Sequence, residues 1–151
     1  ITFEKLSDEK LRHYGSSENQ YDKDVEDGMK AALEENSLDP KSLAILGRKG
    51  KDTEKEIADF IKKGGEGLLC LGDSRALPVY KLLSQKGMKP GKDFGIAGYY
   101  NTSWTEVFDP PLTSVSINGQ EIAKLAADAV IKNWRGRTVR VAPELIIRNS
   151  T

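Results

Sequence analysis

The chain has 151 residues, 30 % of them charged, and its 23 basic and 23 acidic side chains cancel to a net charge of zero. At this length about two-thirds of the unfolded surface can be buried, enough for one domain with a real core. The charge balance argues against a nucleic-acid-binding surface, which needs a basic excess. No apolar run reaches the length of a membrane span, and no stretch reads as a signal peptide.

The chain opens at Ile1 without Met, and it is read as a piece of a longer protein. Residues 1–10 are mixed, although Ile1-Thr2-Phe3 could be a strand. Leu11 to Ser17 reads as a strand and loop. A helix is predicted from Tyr21 to Glu35, with Val25, Met29, Ala32 and Leu33 on one face. Asn36 and Asp39-Pro40 end it. Ser42 to Gly47 is a buried strand, followed by the loop Arg48-Lys49-Gly50-Lys51. Thr53 and Glu56 form a capping box for a helix that buries Ile57, Phe60 and Ile61 and stops at Gly64-Gly65. Gly67 to Leu71 is a third strand. After Gly72, Asp73 or Ser74 caps a helix carrying Leu77, Tyr80, Leu82 and Leu83, with Pro78 tolerated in its first turn.

Phe94 to Tyr99 is the fourth strand, and Asn101 to Phe108 a polar, aromatic loop. Asp109-Pro110-Pro111 forces an extended path into the alternating run Leu112–Ile117, which suggests a hinged edge. Asn118 and Glu121 can cap a last helix with Ile122, Leu125, Ala126, Ala129 and Val130 on one face. Two short strands, Val139–Ala142 and Glu144–Arg148, are expected on either side of Pro143. Strand and helix alternate, so the fold class is α/β, a parallel sheet flanked by helices on both faces.

Several stretches taken together resemble a family. They are Asp27 to Leu33, Leu71 to Leu77, Gly95 to Asn101, Pro110 to Val115, Ile122 to Ala126 and Pro143 to Thr151. In that order they look like the carboxyl-terminal part of the lactose-repressor-type transcription regulators, whose sensor domain is similar to periplasmic sugar-binding proteins. The resemblance covers about Leu11 to Thr151. It implies a two-subdomain clamp that closes on a small effector, often a sugar or a nucleobase. Residues 1–109 would be the carboxyl-terminal-type subdomain. Residues 110–151 would supply crossover strands and a helix belonging partly to the other subdomain. The expected partners are a sugar-like effector, a second copy in a homodimer, and DNA through a headpiece outside this chain. The expected location is the cytoplasm, with no cofactor and no membrane contact. Three positions depart from the family pattern: Tyr100 stands where an Asp usually binds effector hydroxyls, Val25 where an Arg is usual, and Gly72 where a polar residue precedes the capping Asp.

Ligands in open α/β sheets bind at the carboxyl ends of strands. Tyr100 and Asn101 follow such an end; an aromatic face suits sugar stacking and Asn both donates and accepts. A Tyr covering the core and an Asn making a turn account for them equally well. Asp73, Arg48, Ser16 and Ser17 also follow strand ends, and all six are expected along one sheet edge. A helix cap explains Asp73, and solvated loops explain Arg48, Ser16 and Ser17. Trp104 could stack on a ligand or serve a dimer interface, but packing is the simpler role. His13, the only His, has no metal-ligand partners at suitable spacing, and Cys70 lies in an apolar strand as an inert thiol. No nucleophile motif and no phosphate-binding glycine loop are present. The leading expectation is a non-enzymatic effector-binding and oligomerisation domain of a regulator. The rivals are an extracytoplasmic solute-binding receptor of the same fold and an enzyme on a similar scaffold.

Overall fold

A computed structural model describes residues 11–14, 20–39, 44–46 and 53–151. In chain order the elements are β1 (Leu11–Tyr14), α1 (Gln20–Glu35), β2 (Ala44–Leu46), α2 (Thr53–Lys62), β3 (Gly67–Cys70), α3 (Ala76–Gln85), β4 (Gly95–Tyr99), β5 (Thr113–Ser116), α4 (Gly119–Ile131) and β6 (Glu144–Ile146). They build one six-stranded sheet in the order β2-β1-β3-β4-β5-β6. The first five strands are parallel; β6 closes the edge antiparallel to β5. The expected Glu144–Arg148 strand is thus shorter and runs against the others.

Right-handed crossovers explain the layers. The step from β1 to β2 goes one way across the sheet, and the steps to β3 and β4 go the other way. Helix α1 therefore belongs on the face opposite to α2 and α3. The core lies on the α2–α3 face: Ile57 and Phe60 from α2, Ala76, Val79 and Leu83 from α3, and Leu68, Cys70, Ile96 and Leu112 from the sheet and the residue before β5. Phe94 completes it, meeting Phe60 edge to face at 6.2 Å. Each buried Val, Leu, Ile or Phe among them contributes roughly 1.5–3 kcal/mol. On α1, Met29 and Leu33 are buried; the expected partner Ala32 is exposed, because it lies off the i, i+4 line through Val25.

Other expectations need correction. Leu77 is 62 % exposed; of the other expected residues Leu83 is buried and Tyr80 and Leu82 pack against the core, with Ala76 and Val79 completing the inner face of α3. Residues 138–143 form no strand, so Val139–Ala142 stays irregular. Asn118 does not cap α4 with its side chain; it sits in the left-handed region at φ 52° and donates Nδ2 to the Ala142 carbonyl at 2.6 Å. Pro110-Pro111 is not where the chain leaves the sheet. It lies before β5, pinned by the Tyr80 hydroxyl, which donates to Pro110 O at 2.8 Å. The chain leaves instead at the far end of β5 and returns before β6. Between those points α4 buries no residue, and Ile122, Val130 and Ile131 are exposed. Ile1-Thr2-Phe3 lies outside the described residues.

Candidate functional site

Strands β1, β3, β4 and β5 point the same way, so the chain leaves each of them at one edge of the sheet. Of the six candidates, Asp73, Tyr100 and Asn101 come together there. Arg48, Ser16 and Ser17 lie outside the described residues.

Tyr100 and Asn101 follow β4 directly and have φ of 97° and 48°. Non-glycine side chains rarely adopt such angles, and two in succession persist only where the surroundings fix them. Tyr100 N donates to Val115 O at 2.8 Å, and Asn101 N to Ser114 Oγ at 3.1 Å. The Tyr100 ring is 46 % exposed and stands edge-on to Tyr99 at 5.3 Å. The chain then enters a short 3-10 turn, Ser103–Glu106. Thr105 is buried there, but Trp104 is 61 % exposed, so the expected packing role is not seen within this chain.

Asp73 is only 2 % exposed and is no cap. Its Oδ2 accepts from Thr102 N at 2.7 Å and Thr102 Oγ1 at 2.8 Å, and its Oδ1 from Ser114 Oγ at 2.6 Å. One carboxylate thereby ties the start of a 3-10 turn, the loop after β4, and β5. Gly98 makes room for it: a Cβ at that position would strike the Asp73 carboxylate and come within 2.9 Å of Leu112. The sequence marks Asp73 as a turn residue but cannot give these partners, which lie 29 and 41 residues away.

Sequence reasoning passed over Arg148. Its Nη2 donates to Asn101 Oδ1 at 3.0 Å and its Nη1 to Leu112 O at 2.8 Å. The available signal was a cation inside the run Ile146-Ile147-Arg148-Asn149, which a partly buried strand tail tolerates only with partners.

Among the described residues there are hollows elsewhere as well. One, of about 400 Å³, runs along α4 between Leu125, Ala129 and Trp134, Val139 and Val141. The other, of about 560 Å³, is lined by Tyr80, Lys89, Lys92, Asp109 and Asn149. Among the described residues, no group of three or more His, Cys, Asp and Glu side chains could hold a metal ion. No helix there is long and apolar enough to cross a membrane.

Residues 8–151 match the periplasmic binding protein-like domain family. The chain is 31 % identical over 107 residues to the HTH-type transcriptional repressor PurR of Vibrio parahaemolyticus, a stretch covering 66 % of this chain and 32 % of that protein. It thus spans about a third of the length of that curated relative. Its fold superposes with a TM-score of 0.77 on a LacI family transcriptional regulator from Enterococcus faecium with bound ribose, at 22 % identity, over 95 % of this chain and 56 % of that one. The TM-score is 0.74 to a periplasmic binding protein/LacI transcriptional regulator from Alkaliphilus metalliredigens complexed with D-xylulofuranose, at 19 % identity, over 95 % and 57 % of the two chains.

Proposed function

Since the chain belongs to the periplasmic binding protein-like domain family of LacI-type regulators, we propose that it is one lobe of an effector clamp that senses a small, sugar-like molecule. The observation that carries this reading is the Tyr100–Asn101 step. An exposed aromatic ring and an amide are held at strained angles on the carboxyl edge of the sheet, where cleft ligands bind. The ring would stack on a sugar face. Asp73, with both oxygens engaged by protein donors, would organise the loop more than it touches ligand. Arg48, Ser16 and Ser17 remain candidates for the same edge.

In this reading residues 119–142 belong to the second lobe, because among the described residues α4 meets only the loop that follows it, where Trp134, Val139 and Val141 line a hollow with Leu125 and Ala129, and none of its residues is buried. Residues 1–109 and the strands β5 and β6 form the first lobe. The whole protein would act as a homodimer, bind DNA through a headpiece outside this chain, work in the cytoplasm and catalyse nothing. Named relatives that are repressors favour this over an extracytoplasmic solute receptor. The test is a thermal-shift screen of pentoses, hexoses and nucleobases on the full-length protein. A ligand at 100 times its dissociation constant should add about 2.7 kcal/mol. Tyr100→Ala should abolish that gain. A gain that survives the substitution sinks the placement of the site.

A further inference from the structure

Arg148 lies two residues beyond β6, with its side chain 16 % exposed. Its acidic partner among the described residues, Glu106, is 3.9 Å away and itself 79 % exposed, so that pair is weak. The guanidinium fork instead spans two neutral acceptors, the Leu112 carbonyl and Asn101 Oδ1. A planar fork on two acceptors fixes direction as well as distance, which a lysine cannot do. The backbone behind it is also fixed. Arg148 N donates to Thr113 Oγ1 at 2.9 Å. Two residues on, Ser150 is fully buried, donating Oγ to Ile96 O and accepting from Thr113 N.

A rigid base therefore reaches under a strained loop and holds its second residue. The same tail continues β6, whose entry at Ala142 is tied to Asn118 where the chain leaves β5. We infer that Arg148 is the positioning residue of the cleft loop: it fixes Asn101, through it the Tyr100 ring, and so couples the loop to the strand that returns from α4. This deepens the cleft reading above and rests on it, although its test requires no ligand.

The experiment is residue-resolved hydrogen exchange on the chain carrying Arg148→Met, Arg148→Lys or Asn101→Gly. Arg148→Met keeps the stem and removes the donors. The amides of Tyr100, Asn101 and Thr102 should then exchange about tenfold faster, roughly the worth of one good hydrogen bond, while Leu69 and Ile96 keep their rates. Arg148→Lys should fall between parent and Arg148→Met. Asn101→Gly keeps the left-handed backbone but removes the acceptor, so adding Arg148→Met to it should bring no further acceleration at Tyr100. Unchanged loop amides would overturn the inference, as would an equal rise at Leu69 and Ile96, or full additivity in the double variant. If Arg148→Met does not fold, Arg148→Lys and Asn101→Gly decide alone: both must loosen the loop selectively. A failed sugar screen with a loosened loop would refute the ligand and leave Arg148 in its role.

Discussion

At the scale of single residues, two buried groups carry measurable consequences. The Asp73 carboxylate accepts three hydrogen bonds out of water. Asp73→Ala would strand the Thr102 amide and two hydroxyls, and it should cost about 3 kcal/mol in urea unfolding. Cys70 is fully buried, and burial pushes its thiol up to about 12 from 9.0. The folded thiol holds its proton where the unfolded thiol has lost it. Its contribution is fully present below pH 9 and is lost as pH rises toward 12, about 4 kcal/mol in all. Unfolding midpoints measured between pH 8 and 11 should fall accordingly, and a thiol reagent should label Cys70 only once the chain unfolds. The burial of Cys70 was legible from its apolar strand. The real work of Asp73 was not, because its partners are distant in sequence.

Among the elements, local pattern reads well wherever a helix or strand packs on its sequence neighbour. Helix α2 starts at Thr53, and the apolar runs at Gly67 and Phe94 lead into β3 and β4. Pattern misleads where packing depends on something farther away. Val139-Arg140-Val141 alternates as a strand does, yet a strand needs a neighbour to pair with, and these residues pair with none among the described residues. The periodic face of α4 is real, but no residue of it is buried among the described residues. Large apolar patches seldom persist on soluble monomers. This chain alone should therefore scatter light as a dimer or larger at micromolar concentration. Leu125→Glu should return it to the mass of one chain with its helical circular dichroism intact. A parent that already weighs as one chain would mean that α4 docks on its own sheet in solution.

For the whole molecule, the doubly covered sheet was legible because strands and helices alternate at short spacing. The antiparallel edge was not, since one strand's direction depends on where the chain comes back after α4. The return has its own effect. Ser150 reaches Ile96 across 54 residues and Thr113 across 37, completing hydrogen bonds that β4 and β5 leave open. A chain emerging from the ribosome amino end first exposes β4 long before the serine that completes it. The nascent lobe should stay open to proteolysis and to chaperones until residue 150 has cleared the exit tunnel. Stalled chains ending at 147 should be digested readily, and those extended well past 151 should resist. Ser150 thus times the moment at which the nascent lobe becomes resistant to digestion.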